Sequence, residues 1–172
     1  IWIYWENKKN SKKPAYIDLC QESIKKNSKV ETILLNPKNL SKYLPNLRKD
    51  LNKLSIPHKT DYIRINILKE YGGMWLDSDI IVLKPLDKIF NKLKNYDYIA
   101  FGSNYYKGLR KPSNWAMISR KNGIFITQCF KEINNILDSN PRMYLPYNYH
   151  KIGRDLLWSV IKSLKKQYNW NY

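Results

Sequence analysis

A pair of glycines separates a helix-like segment from two closely spaced aspartates, and this arrangement constrains the fold more than any other feature. Residues 57–71 carry apolar side chains at helical spacing, and the glycines at 72–73 end that pattern, because glycine closes a helix without a Cβ penalty. Residues 74–76 then form a short apolar strand. The sequence therefore predicts a helix, a tight turn and a strand that ends in Asp77 and Asp79.

The two aspartates predict a cation-binding site at the end of this strand. Side chains two residues apart point to the same face of a strand, so the carboxylates of Asp77 and Asp79 should converge. Ligands of open α/β sheets bind beyond the carboxyl ends of the strands. Two neighbouring carboxylates raise each other's pKa unless a cation lies between or beside them. We therefore expect Mg²⁺ or Mn²⁺, a cation that takes oxygen ligands and would hold a nucleotide diphosphate.

The remaining pattern predicts one α/β domain over residues 1–172, a length that can bury a core. Strands are predicted at 1–5, 30–35, 74–76, 80–83, 96–101 and 115–119. Helices are predicted at 15–26, 40–54, 57–71, 87–93, 122–137 and 153–164, with Asp87 as the N-cap of the fourth. A loop is predicted at 102–112 and an irregular segment at 140–148. Because the chain begins inside a predicted strand, we expect a fragment of a longer protein.

Composition excludes several classes of protein. Hydrophobic residues make up 43% of the chain, which is too high for a disordered protein, and the longest apolar runs are too short to span a bilayer. The sequence shows no signal-peptide pattern. Cys20 and Cys129 lack the spacing of a metal or redox site, so we expect two buried thiols and a reducing cytoplasm.

The chain is strongly basic. Lysine and arginine total 31 against 14 acidic residues, which gives a formal net charge of +17. Such a field attracts nucleic acid, anionic lipid or nucleotide phosphates. The basic residues are dispersed and no nucleic-acid-binding motif occurs, so we expect no nucleic acid partner. We interpret the charge as a compositional bias that favours peripheral contact with an anionic membrane surface, at the inner face of the cytoplasmic membrane.

The helix before the glycines carries a second candidate pair. Asp61 and Arg64 are three residues apart and therefore share a helical face, which continues to Leu68 and Tyr71. One interpretation is a surface ion pair that contributes little to stability. The other is a binding site, in which the carboxylate accepts sugar hydroxyls and the guanidinium holds sugar or phosphate oxygens. The spacing alone leaves both open.

The two candidate pairs belong to one longer motif. It comprises Asp61, Arg64, Leu68, Tyr71, Gly72, Gly73, Leu76, Asp77 and Asp79. This series resembles the donor-site block of glycosyltransferases with a GT-A fold, in which an Asp-x-x-Arg helix, a Tyr-Gly-Gly turn and a strand ending in Asp-x-Asp follow one another. It is most similar to glycosyltransferase family 32, which includes yeast initiating mannosyltransferase-like enzymes, capsular polysaccharide synthesis proteins and, more distantly, the large clostridial glucosylating toxins.

The resemblance implies a fold and an activity. The fold would be a GT-A type, Rossmann-like mixed sheet flanked by helices. The activity would be that of a metal-dependent hexosyltransferase that moves a sugar from a nucleotide-diphosphate sugar, expected to be a UDP-sugar, with retention of anomeric configuration. The acceptor would be a glycan or a lipid-linked glycan in bacterial capsular or surface polysaccharide synthesis.

The resemblance also implies roles for individual residues. Asp79 would coordinate the metal, and Asp77 would contact the ribose and reach the metal directly or through water. Ser78, between them, would belong to the same nucleotide-binding segment. Asp61 and Arg64 would bind the transferred sugar.

Other positions match the family more weakly. Trp5 would border the nucleotide base or serve as a core aromatic, and Tyr71 would lie near the diphosphate or pack under the glycine turn. Asn114 matches an asparagine beside the donor sugar. The segment 149–158 resembles the closing segment of bacterial capsular-type members. By position alone, His150 and Arg154 in that segment are candidates for a further metal or phosphate ligand.

Three other functions are compatible with parts of this pattern. A haloacid dehalogenase-like phosphohydrolase would use Asp77 as nucleophile and Asp79 as general acid, but its motif requires a small residue soon afterwards, where this chain has Ile80 and Ile81. The later acidic pair of that class is also missing. A non-enzymatic basic module that binds nucleic acid is disfavoured by the dispersed charges. A degenerate transferase that binds its donor without turnover is the third.

Overall fold

A mixed five-stranded sheet forms the centre of the computed structural model, which describes residues 1–93, 95–105, 109–139 and 150–168. The strands are β1 (Trp2–Tyr4), β2 (Ile33–Leu35), β3 (Gly73–Leu76), β4 (Tyr98–Tyr105) and β5 (Leu109–Ser119). Their order in the sheet is β2-β1-β3-β5-β4. β1 is parallel to β2 and β3, whereas β5 is antiparallel to β3 and β4. The predicted α/β class with a mixed sheet is confirmed.

Six α-helices flank the sheet in the described part of the chain. They are α1 (Ala15–Lys26), α2 (Leu40–Tyr43), α3 (Ile56–Tyr71), α4 (Asp87–Lys92), α5 (Ile124–Ser139) and α6 (Arg154–Tyr168), with a 3₁₀ turn at Leu51–Lys53. The beginning of α3 has a clear local cause, because Ser55 caps it through the amide of His58 and Pro57 lies in its first turn.

The two faces of the sheet bury separate cores. One core contains Trp75 and Met117 together with side chains of α3, α5 and α6. The other contains Met74 and Leu76 together with Ile24 of α1. Successive residues of β3 therefore point to opposite faces, as an extended strand requires. Because α3 packs between the sheet and α5, it is buried on nearly all sides from residue 58 to residue 68.

The glycine turn holds α3 close to the sheet. Gly72 has a φ of 69°, and a Cβ there would lie 2.6 Å from the amide nitrogen of Lys121. Only glycine therefore fits without displacing backbone. The indole of Trp2 donates a hydrogen bond of 2.9 Å to the Gly72 carbonyl, which ties the turn to β1. The predicted helix, turn and strand are all present at this place.

Two predicted elements are wrong. The predicted helix 40–54 ends after one turn for a local reason, because Leu44 precedes Pro45 and leaves the helical region, with φ of −127° and ψ of 77°. The predicted strand 80–83 lies against α1 instead of joining the sheet. There the Val82 amide donates 2.9 Å to Ser23 Oγ.

Two local predictions are also corrected. Asp87 is the first residue of α4 and not its N-cap, which is Leu86; its carboxylate instead accepts a hydrogen bond of 3.3 Å from the Lys29 amide. Of the predicted loop 102–112, residues 102–105 and 109–112 belong to β4 and β5. The predicted irregular segment 140–148 falls outside the described residues.

Candidate active site

Arg64 of α3 bridges two carboxylates. Its Nη2 lies 3.3 Å from Asp61 Oδ1 and 3.2 Å from Asp77 Oδ1. Asp61 comes from the same helix face, whereas Asp77 comes from the carboxyl end of β3, against which α3 packs. Asp61 and Arg64 are each only 5% exposed. The spacing of Asp61 and Arg64 thus reflects a buried cluster and not a surface ion pair.

Trp75 supports the charged cluster from within the core. Its indole lies under Arg64, with 5.3 Å between the guanidinium carbon and the ring centroid. Its Nε1 donates a hydrogen bond of 2.9 Å to Asp77 Oδ1. Because Trp75 is fully buried, these two contacts fix Arg64 and Asp77 relative to the sheet.

A bulge in β5 brings Asn114 into the same cluster. Ala100 pairs with Met117 and Gly102 pairs with Pro112. An advance of two residues along β4 is therefore matched by five residues along β5, so β5 contains three extra residues here. Such extra residues break the alternation of a strand and redirect its side chains. Asn114 donates from Nδ2 to Asp61 Oδ1 over 2.8 Å, and its carbonyl accepts a hydrogen bond from Arg64 Nη1.

These side chains line a pocket of about 280 Å³ at the carboxyl end of β3. The lining residues described are Pro57, Asp61, Arg64, Asp77, Ser113, Asn114, His150, Gly153 and Arg154. The last three come from the beginning of α6 and the turn before it. His150 and Arg154, chosen from their position in the sequence, therefore do reach the pocket.

Gly153 packs directly on the carboxylate at the base of the pocket. A Cβ at this position would lie 2.8 Å from Asp61 Oδ2 and 2.8 Å from Asn114 Nδ2. Glycine thus lets the beginning of α6 approach α3 and β5 more closely than any other residue would allow. Gly153, Pro57 and Ser113 line the pocket but were not predicted as site residues from the sequence. The available signal was a glycine as the first residue of the predicted helix 153–164, a place where Ser, Asn or Asp is the more usual cap.

Burial raises the pKa of Asp61 to about 6, and the charge of Asp77 adds to this effect, whereas the Arg64 charge lowers it. Burial also raises the pKa of Asp77, against the opposing effects of Arg64 and of the Trp75 hydrogen bond. Burial has the larger effect on both pKa values, because each carboxylate loses the solvation that water provides. The single guanidinium of Arg64 is shared between the two carboxylates and compensates for only part of that loss.

The two residues that follow Asp77 point in different directions. Ser78 is buried, and its hydroxyl donates a hydrogen bond of 2.6 Å to the carbonyl of Tyr4, which anchors the segment on the end of β1. Asp79 is exposed and makes no hydrogen bond or ion pair with the residues described. Its charge is nevertheless close enough to α1 to raise the pKa of the Cys20 thiol, for which burial is the larger cause.

The carboxylate oxygens of Asp77 and Asp79 are ligands that suit a hard divalent cation. The described hydrogen bond and ion pair of the Asp77 side chain both involve Oδ1, which leaves Oδ2 for a ligand, and the Asp79 carboxylate is accessible. Among the residues described, no group of three or more His, Cys, Asp or Glu side chains could hold a metal. The described residues thus offer Asp77 and Asp79 as ligands, and a Mg²⁺ or Mn²⁺ ion there would take further oxygen ligands from substrate and water.

Trp5 and Tyr71 lie at opposite ends of the strands: Trp5 lies at the carboxyl end of β1, and Tyr71 lies just before the amino end of β3. Trp5 follows β1, which is parallel to β3, so it shares the edge of Asp77, and its Nε1 donates 2.7 Å to Asn7 Oδ1. Tyr71 lies at the other end of α3, about 10 Å along the helix axis from Arg64. Its hydroxyl donates 2.9 Å to the Tyr43 carbonyl. Neither is among the described residues that line the pocket, and the contacts of Tyr71 match the packing alternative.

Comparison with solved structures defines the class of fold. The PaToxG glycosyltransferase superposes with a TM-score of 0.64 over 98% of this chain and 69% of that chain, at 16% sequence identity. This similarity, together with the mixed sheet and the pocket at the carboxyl end of β3, defines an α/β fold of the GT-A-like glycosyltransferase type.

A sequence model of the capsular polysaccharide synthesis proteins matches residues 1–169, and the chain therefore belongs to that family. Both the predicted family and the predicted fold are confirmed. No curated protein matches the chain. In the part of the chain that the structure describes, none of the helices combines the length and the apolar character needed to cross a membrane.

Proposed function

We propose that this protein is a metal-dependent glycosyltransferase that moves a sugar from a nucleotide-diphosphate sugar to a glycan acceptor. The observation that carries the proposal is the cluster in which Arg64 joins Asp61 to Asp77 and Asn114 completes the pocket wall. It links the carboxylate of a helix to the Asp-x-Asp segment of a strand. Family membership supports a role in capsular or surface polysaccharide synthesis.

The sugar is assigned to the pocket formed by α3, β5 and α6. The described hydrogen bond and ion pair of Asp61 involve Oδ1, so Oδ2, which faces Gly153 at the pocket wall, is the atom left to accept a bond from a sugar hydroxyl. Arg64 carries one positive charge shared between two carboxylates, and its main role is to hold them close together in a fixed geometry. A buried carboxylate that gains hydroxyl donors becomes better solvated, which favours donor binding.

The nucleotide and its diphosphate are assigned to the edge beside Asp77 and Asp79. Asp77 Oδ2 and the Asp79 carboxylate would hold Mn²⁺ or Mg²⁺, and such an ion would neutralise the leaving diphosphate. Ser78 contributes through its bond to Tyr4, which fixes the backbone between the two aspartates. Trp5 lies at the same edge of the sheet and is the candidate to border the base.

The finer features of the proposal come from the resemblance to family 32. They are a UDP-sugar as donor, retention of anomeric configuration, and a glycan or lipid-linked glycan as acceptor at the inner face of the cytoplasmic membrane. Among the described residues that line the pocket, the geometry selects no single side chain as a nucleophile, and none is proposed.

A donor-hydrolysis and transfer assay tests the proposal. Purified protein is incubated with a panel of nucleotide sugars in Mn²⁺ or in EDTA, and release of the nucleoside diphosphate is measured. We expect at least one donor to be cleaved in Mn²⁺ and not in EDTA. The Asp61→Asn variant should lose this cleavage, and the Glu70→Gln variant should keep it. Glu70 is the matched control because it is partly exposed at the far end of α3. If no donor is cleaved in Mn²⁺, the proposal is wrong.

A further inference from the structure

Exposed apolar side chains are concentrated on one surface of the molecule. Ten large hydrophobic side chains are exposed among the residues described, and half of them belong to two segments that pack on each other. These five are Tyr16, Leu19, Val30, Ile81 and Leu83, and together they are called the α1 surface. Leu83 is the most exposed, at 84%. Single exposed apolar residues need no explanation, but a cluster of this kind indicates an interaction site.

Hydrogen bonds fix the two segments side by side. Asn27, at the end of α1, donates from Nδ2 to the Val82 carbonyl over 2.7 Å, and its own carbonyl accepts from the Leu86 amide over 2.9 Å. Val82 is buried against α1, whereas its neighbours Ile81 and Leu83 point outward. The predicted strand 80–83 is therefore an outward-facing apolar segment that lies along a helix.

The exposed face of α1 continues this apolar segment. Tyr16 and Leu19 are three residues apart, and Leu19 is four residues before Ser23. This spacing places all three on one helical face, and Ser23 contacts the Val82 amide. The face thus runs beside Ile81 and Leu83 as one surface.

Lysines surround the apolar side chains. Residues 12–30 and 80–88 contain seven lysines and three acidic residues. Of those lysines, the exposed ones are Lys12, Lys25, Lys26, Lys29, Lys84 and Lys88. The acidic residues are Asp18, Glu22 and Asp87, and Asp18 is already paired with Lys13. An apolar centre with a basic rim is complementary to a bilayer that carries anionic headgroups.

We propose that the α1 surface docks on an anionic lipid bilayer. Ile81 and Leu83 enter the boundary between headgroups and acyl chains, and the lysines contact the headgroup phosphates. The surface begins next to Asp79, so docking would present the edge of the candidate site to molecules anchored in the membrane, such as a lipid-linked acceptor. The excess of lysine favours a bilayer over an apolar protein groove. The inference does not require transferase activity, because its test measures only binding to vesicles.

Flotation with lipid vesicles tests the inference. Vesicles of phosphatidylcholine alone are compared with vesicles that also contain phosphatidylglycerol, at low and at high salt. We expect binding only to the anionic vesicles, and weaker binding in high salt. Lys84→Gln should lower the partition coefficient about fivefold, since each basic residue near such a surface contributes about that factor. Leu83→Asp and Ile81→Asp should lower it further.

Ile124→Asp is the matched control, because Ile124 is 55% exposed at the beginning of α5 and lies outside the α1 surface. Thermal unfolding checks that all variants are folded, and the exposure of Leu83 makes its replacement harmless to the core. Failure to bind anionic vesicles would overturn the inference. So would equal binding by Leu83→Asp and Ile124→Asp, which would assign the attraction to dispersed charge. Self-association that Leu83→Asp abolishes, without vesicle binding, would assign the surface to a second copy of the chain.

Discussion

Asn114 donates a hydrogen bond of 2.8 Å to the carboxylate of Asp61, and these two residues are 53 positions apart in the sequence. The bond joins the bulged part of β5 to the buried face of α3, and Arg64 closes the connection by donating to the Asn114 carbonyl. A strand irregularity thereby becomes one wall of the candidate sugar pocket.

Replacing Asn114 should weaken the pocket without unfolding the protein. Asn114→Ala removes one donor from a buried carboxylate, so we expect a loss of about 1–2 kcal/mol in the free energy of unfolding and weaker donor binding. Urea unfolding and calorimetry measure the two effects. Asn39→Ala is the control, because Asn39 donates a comparable bond of 2.9 Å to the Leu34 carbonyl and is not among the described residues that line the pocket. Donor binding reduced equally in both variants would contradict a specific role for Asn114.

Removing Arg64 should destabilise the fold strongly. Arg64→Met leaves Asp61 and Asp77 buried without their shared cation, and breaking a buried pair in this way costs about 3–5 kcal/mol. The exposed Arg120, which donates to the Leu93 carbonyl, provides a control, and Arg120→Met should cost less than about 1 kcal/mol. Equal losses in the two variants would show that the Arg64 bridge does not form in solution.

Asp61 should make the protein less stable as the pH rises. Folding raises its pKa from 3.8 to about 6, so the folded chain keeps a proton that the unfolded chain has lost between these values. The resulting loss in the free energy of unfolding is absent below about pH 4. It is complete above about pH 6, where it amounts to about 3 kcal/mol.

Asp61→Asn should therefore be more stable than the wild type at about pH 8, and the difference should vanish towards about pH 4. Urea unfolding across this range, in the presence of EDTA, measures it. The same variant should have lost donor turnover, as is expected where a functional site is maintained at the expense of stability. An Asp61→Asn protein that is less stable at every pH would contradict the sign of this pKa shift.

A methyl group added at Gly153 should weaken donor binding more than a methyl group added at an equally crowded glycine outside the pocket. Gly153→Ala places a Cβ against Asp61 and Asn114, whereas Gly123→Ala places one 2.6 Å from the Asp97 carboxylate, away from the pocket. Both changes should cost about 1–3 kcal/mol of stability. Only Gly153→Ala should weaken donor binding, measured by calorimetry at a temperature where both variants are folded. Unimpaired donor binding by Gly153→Ala would show that α6 does not shape the sugar subsite.

Local chemistry explains why part of the fold was predictable from the sequence. The start of α3 follows from Ser55 and Pro57, and its end follows from a glycine that no other residue can replace. The order of helix, turn and strand then fixes Asp61 and Asp77 on neighbouring elements. For the same reason the donor-site motif could be identified before its geometry was known.

Long-range packing explains what the sequence could not predict. The β5 bulge depends on pairing with β4, so no local pattern indicated that Asn114 would contact Asp61, and only the family resemblance placed both residues beside the donor sugar. The segment 80–83 has the apolar pattern of a strand, but hydrogen bonds to α1 hold it outside the sheet. Gly153 acts through a close approach between α6 and α3, which only the folded chain shows.

The central claim is that Asp77 and Asp79 hold a divalent cation together with a nucleotide diphosphate, and calorimetric titration with UDP in Mn²⁺ or in EDTA tests it most directly. The wild type and Glu70→Gln should bind UDP in Mn²⁺ and lose at least about tenfold in affinity in EDTA, whereas Asp79→Asn should bind weakly in both. If UDP and the other nucleoside diphosphates bind equally with and without Mn²⁺, or if Asp79→Asn binds like the wild type, the proposed site is contradicted.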